Sequence, residues 1–540
     1  MKKQIFFFSL LCFQFYAYAQ QDAWVYFVDK QNVSQYLANP VTILTQKAID
    51  RKERYNIAID ERDVPVNENY ISQIKVQEGI TVLAKSKWFN AVHIRGSETN
   101  INALNNLPFV SRVRFANKNL NNTTTTKQEK QKEVSKLETA LVTFNYGNAL
   151  NQIQMFNGDK LHVLGFTGKG ITIAVLDAGF PNVNIMSSFQ RLRGADNLLG
   201  NYDFVNRDDD VFTNTVSNHG TLVLSDMAGY IENQFVGTAP DASYYLFTTE
   251  DDTSENPVEE SYWVEAVERA DSLGVDIVNT SLGYKDYGPN YSSYSYTDSD
   301  LDGKTAYITK GANIAFEKGL LLVTSAGNSG SSGVGAPADS QYVLSIGAVD
   351  ASGNYASFSS IGNAFQPSQK PDVVAQGQSS YVITENDVLS TASGTSFSAP
   401  ILAGGIACLW QALPNKTNAE IMQLIRASAS LYTMPNNQLG FGIPDLNDTL
   451  LKAMLSDDND ENTKDIKLFP NPSKDIVFVD LPNDETEATI RFYDILGKQV
   501  LDFKLNLKQT PIDILSLPVG LYIVKIESTI MSKTFKFIKK

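Results

Sequence analysis

The sequence predicts a central α/β domain with a doubly wound, mostly parallel sheet, preceded by a mixed α+β domain and followed by a small all-β sandwich. Between about residues 145 and 454, continuous apolar runs alternate with helical stretches, which is typical of strands buried on both faces by helices. Polar tracts flank this region on both sides. After the second tract, short alternating runs are separated by Pro, Gly, Asn and Asp, as in an all-β module.

Composition sets the broad class. A chain of 540 residues exceeds the size at which one hydrophobic core keeps growing, so several domains are expected. Its 43% hydrophobic and 19% charged residues are ordinary for a globular protein. The net charge of -15 and pI near 4.8 repel phosphate backbones and anionic headgroups, which disfavours nucleic-acid binding and peripheral membrane roles.

The first residues are typical of an export signal. Lys2 and Lys3 precede an apolar run, Ile5–Phe15, and Ala17-Tyr18-Ala19 forms a small-residue cleavage site, so we expect the mature chain to begin at Gln20. The alternative is an N-terminal membrane anchor, which is disfavoured because the run is shorter than the ~20 residues of a spanning helix. No later segment of the sequence is long and apolar enough to span a membrane.

Cysteine usage limits the sources of stability. Cys12 lies in the predicted signal, and lipid attachment there is disfavoured because Leu11 is not small. Cys408 then remains alone. A single cysteine cannot form an internal disulfide, so we expect stability from core burial, with bound ions as an alternative further source.

Each predicted domain has its own pattern. The N-terminal domain mixes β-like runs with amphipathic stretches. The central domain has long apolar strands and intervening helices, and active groups in such sheets gather at the carboxyl ends of the strands. The β-like runs of the N-terminal domain are Ala23–Val28 and Ile80–Ala84; the central strands are Ile171–Leu176, Val275–Val278, Leu320–Val323 and Tyr342–Ile346; the central helices are Pro257–Leu273 and Ile308–Lys318; the C-terminal runs are Ile476–Val479, Ala488–Tyr493 and Leu521–Ile526.

These patterns predict the boundaries. Few apolar groups in the two polar tracts could offset the entropy of ordering them, so both are expected to be linkers. The predicted segments are a signal peptide (1–19), an N-terminal domain (20–116), a polar linker (117–138), a central domain (139–455), an acidic linker (456–465) and a C-terminal domain (466–540).

Four segments carry groups that acyl-transfer chemistry needs, each at a strand end or a helix start. Asp177 follows the first central strand, His219 opens an apolar helix, Asn328 follows the Leu320 strand, and Ser396 precedes the helical stretch Ile401–Leu413. Taken singly, each has a plainer interpretation: a turn-forming aspartate, a structural histidine, a turn asparagine and a helix cap. Their occurrence together favours catalysis.

Two neighbours refine this hypothesis. Pro400 suits the first turn of a helix, which predicts that Ser396 lies just ahead of a helix N-terminus, where free N–H groups stabilise an oxyanion. Gly220, next to His219, is expected to leave space for a peptide substrate. The Asn328 amide is expected to donate to the developing oxyanion.

These segments resemble the subtilisin family of serine peptidases. The resemblance covers about residues 147–451, with Ala178 and Leu222 as departures from the commoner family residues. It implies a Ser396–His219–Asp177 triad, an Asn328 oxyanion hole, substrate pairing along Ser281-Leu282-Gly283 and a specificity pocket at Ser325-Ala326-Gly327. The matching motifs are Asp177-Ala178-Gly179, His219-Gly220-Thr221, Gly394-Thr395-Ser396, Gly237-Thr238-Ala239-Pro240-Asp241-Ala242, Asn279-Thr280-Ser281-Leu282-Gly283 and Lys370-Pro371-Asp372-Val373-Val374-Ala375.

The flanking domains resemble accessory parts of secreted peptidases. The N-terminal domain is similar in position and size to subtilisin propeptides, which assist folding and block the cleft; a permanently attached binding domain is the alternative. The C-terminal domain resembles the type IX secretion sorting domain, with a carbohydrate-binding or adhesive sandwich as the alternative. Its matches are Phe469-Pro470-Asn471-Pro472, Asp494-Ile495-Leu496-Gly497-Lys498, Gly520-Leu521-Tyr522-Ile523-Val524 and Lys539-Lys540.

The insertion between Tyr284 and Lys304 is expected to form one rim of the cleft. Asp298, Asp300 and Asp302, followed by Gly303, match half of a calcium loop, but Thr309 stands where that loop needs Glu, so a solvated acidic turn is the favoured interpretation. Catalysis is expected to need no cofactor, and structural calcium stays an alternative.

The resemblance therefore predicts a secreted or cell-surface serine endopeptidase, made as a zymogen and exported through the periplasm. Its expected partners are protein or peptide substrates and the outer-membrane secretion machinery. Two other functions stay open: a catalytically silent binding protein on a peptidase fold, and an acyl transferase that uses the same residues.

Overall fold

The computed structural model describes residues 20–121, 144–213, 215, 217–251, 253, 255–289, 291–456, 466–481, 487–494, 498–505, 512–528 and 532–540. The predicted signal peptide, most of the polar linker and residues 457–465 of the acidic linker lie outside the described residues. The predicted domain boundaries stay a prediction.

The N-terminal domain is a four-stranded antiparallel sheet with helices, which confirms the α+β prediction. Its sheet order is β2-β3-β1-β4. Along β1, Ala23 and Val25 face the domain's own core, whereas Trp24 and Tyr26 pack against the central domain. The elements are β1 (Gln20–Phe27), α1 (Val33–Ala38), α2 (Gln46–Arg54), α3 (Glu68–Lys75), β2 (Ile80–Ser86), β3 (Ala91–Ser97), α4 (Glu98–Ala103) and β4 (Val110–Phe115).

The central domain alternates strands and helices, as predicted. The elements are α5 (Leu150–Gln154), α6 (Gly158–Val163), β5 (Thr172–Asp177), α7 (Gln190–Gly194), β6 (Leu198–Asp203), α8 (His219–Ala228), β7 (Tyr230–Ile231), β8 (Phe235–Val236), β9 (Ser243–Thr248), α9 (Val258–Leu273), β10 (Ile277–Thr280), α10 (Tyr307–Glu317), β11 (Leu321–Ser325), β12 (Val343–Val349), β13 (Val373–Gln376), β14 (Ser380–Ile383), β15 (Leu389–Ala392), α11 (Thr395–Ala412), α12 (Asn418–Ser428) and α13 (Leu446–Ser456).

Its main sheet has seven strands, in the order β13-β12-β11-β10-β5-β9-β6, and every neighbouring pair is parallel. From β5 the chain runs to the edge strand β6, returns to β9 beside β5, and then crosses to the other side of β5, where it builds outward from β10 to β13. The strand order therefore reverses at β5. In open parallel sheets, the crevice beyond the carboxyl ends at such a switch point is where ligands bind.

Two hydrophobic cores cover the two faces of this sheet. On β5, Ile173 and Val175 belong to the core formed with α8 and α11, whereas Ala174 and Leu176 belong to the core formed with α9 and α10. All four side chains are fully buried, which explains why β5 appears in the sequence as an uninterrupted apolar run. Burying an isoleucine, valine or leucine side chain contributes about 1.5–3 kcal/mol each, so the position of the strand is strongly specified.

The C-terminal domain consists of a three-stranded sheet, β16-β17-β20, and a four-stranded sheet, β19-β18-β21-β22. Side chains from both sheets share one core, so the sandwich prediction is confirmed. None of the described helices is long and apolar enough to cross a membrane. The strands are β16 (Lys467–Phe469), β17 (Ile476–Asp480), β18 (Ala488–Tyr493), β19 (Gln499–Leu505), β20 (Ile512–Asp513), β21 (Gly520–Ser528) and β22 (Ser532–Lys539).

Candidate active site

Three adjacent strands end in one row at the carboxyl edge of the main sheet. Thr280 of β10 is in register with Leu176 of β5 and with Thr324 of β11. The next residues along the chain are therefore Asp177 after Leu176, Ser281 after Thr280, and Ser325 after Thr324. Parallel pairing thus brings together residues that are between 44 and 148 positions apart in the sequence.

Asp177 and His219 form a short hydrogen bond in this row. His219 Nδ1 lies 2.7 Å from Asp177 Oδ1, which also accepts the backbone N–H of Ala178 at 2.8 Å. Because a carboxylate only accepts hydrogen bonds, Nδ1 carries the proton, and Nε2 of the neutral ring is the basic atom. The Asp177 side chain is 1% exposed and that of His219 is 32% exposed, so the carboxylate is buried behind an accessible imidazole.

Gly220 serves packing and not substrate access, which corrects the expectation above. A Cβ atom at this position would lie 2.3 Å from the carbonyl oxygen of Gly179 and 3.0 Å from Cβ of Asp177. The missing side chain lets the first turn of α8 approach the end of β5. That approach keeps the His219 ring within reach of the carboxylate.

Ser396 lies inside the first turn of α11, whereas the sequence predicted it just ahead of the helix. The helix begins at Thr395, so Pro400 is its sixth residue, beyond the first turn. Proline has no N–H, and the Ser396 carbonyl therefore lacks the donor that a helix normally supplies four residues later. Ser281 Oγ donates to this carbonyl at 3.0 Å, and Ser396 Oγ donates to the Ser281 carbonyl at 3.2 Å.

The imidazole and the first turn of α11 are neighbours. The ring of His219 lies 5.9 Å from that of Phe397, measured between centroids, and α8 packs against α11 in the same core. The Ser396 side chain is buried in the row of strand ends, next to Ser281. The structure thus brings the three residues of the predicted triad to one edge of the sheet.

Asn328 is oriented by Thr395. Asn328 Oδ1 accepts the Thr395 backbone N–H at 2.9 Å and the Thr395 hydroxyl at 3.0 Å. Since its oxygen is engaged by these donors, the Asn328 NH2 group points the other way. A Cβ atom placed on Gly394 would lie 3.4 Å from Nδ2, so the amide donor faces the turn that leads into Ser396.

The contacts of two neighbouring residues were not predicted. The sequence used Thr395 only as part of a motif, but its hydroxyl also accepts the Gly327 N–H at 3.1 Å and so ties the Asn328 loop to α11. Ser281 was expected only as a substrate-pairing residue, and its bond to the Ser396 carbonyl was missed. The signal was present in the sequence, because Pro400 leaves that carbonyl free.

The predicted substrate segments lie at the same edge. Tyr284 and Ala336 exchange backbone hydrogen bonds of 2.8 and 2.9 Å, which fixes the end of the segment that starts at Ser281. Gly283 is exposed and lies outside the strands. Neither its backbone N–H nor its carbonyl bonds to another backbone group among the described residues. Its free backbone groups could pair with an extended peptide. Ser325 and Ala326 are buried beside it, and Gly327 is half-buried.

The three aspartates considered for calcium do not converge. Asp298 pairs with Lys285, Asp300 with Lys118, and Asp302 accepts the N–H groups of Lys304 and Thr305. Among the described residues, no group of three His, Cys, Asp or Glu side chains could hold a metal ion. The contacts therefore do not fit a calcium site at these aspartates.

The insertion at 284–304 is anchored by its tyrosines. Tyr287 and Tyr296 both donate to the buried Glu260 carboxylate of α9, at 2.6 and 2.8 Å. The hydroxyl of Tyr294 accepts the Asp22 backbone N–H of the N-terminal domain. The insertion thus joins the two domains, and its role as a rim of the cleft stays a prediction.

The remaining histidines are structural. His93 lies buried between Asp22 and Ser261 Oγ, at 3.0 and 2.8 Å, in the contact between the two domains. His162 bonds to the Tyr146 hydroxyl and the Thr238 carbonyl. Burial lowers the pKa of His162 to about 4, so this ring is neutral at physiological pH.

A buried ion cluster also joins the N-terminal and central domains. Lys52 of α2 lies 2.8 Å from Asp271 of α9 and 3.4 Å from Asp63, which in turn pairs with Lys318 at 2.7 Å. Arg51 completes the cluster by pairing with Asp271. Burial alone would raise the pKa of Asp271, but Lys52 and Arg51 outweigh it and hold the pKa below its usual range.

The sequence matches known families in three regions. Residues 168–442 match the subtilase family. Residues 22–134 match the peptidase S8 propeptide domain of Bacteroidota. Residues 467–540 match the secretion system C-terminal sorting domain.

Similar proteins include three bacterial peptidases. Subtilisin NAT of Bacillus subtilis subsp. natto is 31% identical over 284 residues, which are 52% of this chain and 65% of the relative, so somewhat less than two thirds of that relative is matched. Subtilisin DY of Bacillus licheniformis is 28% identical over 52% of this chain and 90% of its own. The alkaline protease of Alkalihalobacillus alcalophilus is 25% identical over 72% of this chain and 89% of its own.

Proposed function

Because the chain belongs to the subtilase family, we propose that it is a secreted serine endopeptidase, made as a zymogen, that hydrolyses peptide bonds through an acyl-enzyme intermediate. The observation that carries this proposal is the 2.7 Å bond between Asp177 and His219, at the strand end that adjoins the first turn of α11. A buried carboxylate, an accessible imidazole and a serine hydroxyl at one sheet edge are the groups that acyl transfer needs.

The nucleophile is Ser396. Its hydroxyl turns from the Ser281 carbonyl toward His219, which takes the proton as the oxygen attacks the scissile carbonyl. His219 then delivers that proton to the departing amine. In the second half of the reaction, His219 takes a proton from water as the water attacks the acyl-enzyme, and returns it to Ser396 as the acyl group leaves. Asp177 holds the ring in the tautomer that leaves Nε2 basic and stabilises the imidazolium.

Asn328 and the backbone N–H of Ser396 hold the tetrahedral oxyanion. Support comes from the Asn328 amide, whose oxygen is fixed by Thr395 so that its NH2 group faces Gly394. A donor fixed before the reaction begins needs no reorganisation as charge develops. Substrate pairs as an added strand with Ser281-Leu282-Gly283, and its primary side chain enters a pocket at Ser325-Ala326-Gly327.

The N-terminal domain is a propeptide. The family match over residues 22–134 and the docking of its sheet on α9 and α10 support this role. Cleavage in the polar tract releases it. Mass measurement of the secreted protein tests this, because a zymogen loses the N-terminal domain, whereas a permanent binding domain stays attached.

The C-terminal domain directs export by type IX secretion. The path leads through the periplasm and across the outer membrane, where the sorting domain engages the secretion machinery and is removed. The reaction itself uses only groups of the chain, so no cofactor enters it. Subtilases commonly hold structural calcium, but the contacts of Asp298, Asp300 and Asp302 give no support for it at that loop.

A serine-directed organophosphate tests the proposal. We expect rapid, stoichiometric labelling at Ser396 in the activated protein. Ser398 is a matched control, since it lies on the same helix and donates to the Thr395 carbonyl. Labelling that persists in Ser396→Ala, or disappears only in Ser398→Ala, would contradict the assignment.

A further inference from the structure

We propose that a basic pocket between the N-terminal and central domains binds a small oxyanion of the phosphate or sulfate class. The basic pocket is defined by Trp24, Tyr26, Arg114, Lys118, Tyr296 and Lys310, which line one cavity at the contact between the two domains. It lies outside the candidate active site.

The cations come from both domains. Arg114 stands on β4 directly opposite Trp24 of β1, so both side chains lie on the sheet face that meets the central domain. Lys118 follows β4, and its Nζ atom lies 4.2 Å above the ring of Tyr296. Lys310 belongs to α10 of the central domain.

Their charges are incompletely balanced. Lys118 pairs with Asp300 at 2.9 Å. Within the described part of the chain, no carboxylate lies within ion-pair distance of Arg114 or Lys310, and the Lys310 ammonium donates to the neutral Thr305 carbonyl. Burial, and then repulsion from Arg114, lower the pKa of Lys310 to about 8, although the carboxylates of Glu260, Asp302 and Asp339 oppose the shift. An anion placed between Arg114 and Lys310 would relieve that repulsion.

The lining of the pocket favours a compact anion. Trp24 stacks on Tyr307 with 4.3 Å between ring centroids, so one wall is rigid and apolar. An arginine fork and two ammonium groups match an oxyanion that can accept several hydrogen bonds at once. Free inorganic phosphate and sulfate share this chemistry.

A bound anion would strengthen the contact between the domains, because Arg114 and Lys118 belong to one side and Lys310 to the other. A ligand that binds only the docked state multiplies the equilibrium constant for docking by 1 + L/Kd, where L is the ligand concentration. At ten times Kd, docking is favoured about tenfold. This consequence for latency rests on the proposed zymogen function, whereas the binding itself does not.

Titration calorimetry with inorganic phosphate tests the proposal on the full chain carrying Ser396→Ala, which stays intact. Ionic strength is held constant with sodium chloride. The test variants are Arg114→Gln alone, whose exposed side chain makes misfolding a small risk, and Arg114→Gln with Lys310→Gln. The matched control is Lys75→Gln with Lys169→Gln, which removes equal charge at exposed sites, one in each domain.

We expect saturable binding at a single site in the parent and in the control, weakened at least about tenfold in Arg114→Gln, as for loss of a charge-assisted hydrogen bond. Absence of saturable binding in the parent would overturn the proposal. Binding that survives Arg114→Gln, or that the control loses equally, would overturn it too, since the phosphate would then respond to overall charge. Because the chain tested is inactive, none of these outcomes depends on proteolysis.

Discussion

Ser281 and Ser396 exchange hydrogen bonds: each hydroxyl donates to the backbone carbonyl of the other residue, at 3.0 and 3.2 Å. The acceptor on Ser396 is free because Pro400 has no N–H to offer it. The bond from Ser281 therefore ties the start of α11 to the end of β10, and it positions the proposed nucleophile, Ser396.

Ser281→Ala is expected to lower kcat by about threefold to tenfold, because a neutral hydrogen bond contributes about 0.5–1.5 kcal/mol. KM should change little if only the nucleophile shifts. Steady-state kinetics on a peptide substrate measures both. In a Pro400→Ala background, the N–H of residue 400 can serve the Ser396 carbonyl, so the same substitution should cost less. An equal loss in both backgrounds would show that Ser281 acts in some other way.

Asn328→Leu should lower turnover by about 100-fold or more with the fold intact, a magnitude that was itself measured on a subtilisin. The physical reason is the loss of a fixed donor to the oxyanion. Thr395→Val is the informative companion, because the backbone N–H of residue 395 still holds Asn328 Oδ1. We expect a smaller loss there. Undiminished turnover in folded Asn328→Leu would remove this amide from the mechanism.

The sequence predicted four of the seven strands of the main sheet, β5, β10, β11 and β12, because they are apolar runs buried on both faces. It also indicated that Asp177, Asn328 and Ser396 lie at strand ends or helix starts. Parallel pairing then brings these ends together without further information. Helix and strand bounds differ from the prediction by one to three residues at most positions, because end residues are set by local hydrogen bonds.

Individual side-chain contacts between distant segments could not be predicted. Gly220 looked like an opening for substrate, but the space beside it is filled by Gly179 and Asp177. The cluster of Lys52, Asp63 and Asp271 joins residues about 200 positions apart, and neither composition nor periodicity contains such information. From Pro400 the sequence indicates that the Ser396 carbonyl lacks its helical donor. It does not indicate that the Ser281 hydroxyl takes that place.

Lys52→Met should destabilise docking of the N-terminal domain strongly. The substitution leaves Asp63 and Asp271 short of a buried cation, and breaking a buried pair costs about 3–5 kcal/mol. Lys47→Met is the matched control on the same helix, because Lys47 is 42% exposed in its pair with Asp276 and such pairs contribute about 1 kcal/mol or less. Denaturant unfolding of the full chain carrying Ser396→Ala compares them. Equal effects would mean that the cluster contributes no more than a surface pair.

Calcium should not stabilise the protein through the loop that carries Asp298, Asp300 and Asp302, because each carboxylate already has its own lysine or backbone partner. The measurement is the thermal midpoint during calcium titration, in the parent and in Asp298→Asn with Asp302→Asn. We expect the two to respond alike. A calcium-dependent rise present in the parent and absent in the variant would contradict the geometry.

Docking of the N-terminal domain should weaken as pH rises toward neutrality, because of Glu268. This carboxyl of α9 accepts the Ser86 hydroxyl and the backbone N–H groups of Lys87 and Trp88. Burial raises the pKa of Glu268 to about 7, although Lys87 and these donors oppose the shift. The docked state therefore binds a proton more tightly than the unfolded chain. The stabilisation that this bound proton gives to the docked state is complete below the ordinary glutamate pKa and is lost as pH rises through 7.

Within that window, the equilibrium constant for docking is expected to fall by at most about tenfold per pH unit. Glu268→Gln, which resembles the protonated carboxyl, should flatten the fall in unfolding free energy between pH 5 and 7 in the full chain carrying Ser396→Ala. Glu265→Gln removes a charge from the same helix at a partly exposed position and should keep the parent's dependence. A fall that persists unchanged in Glu268→Gln would assign the pH dependence to other groups of the interface.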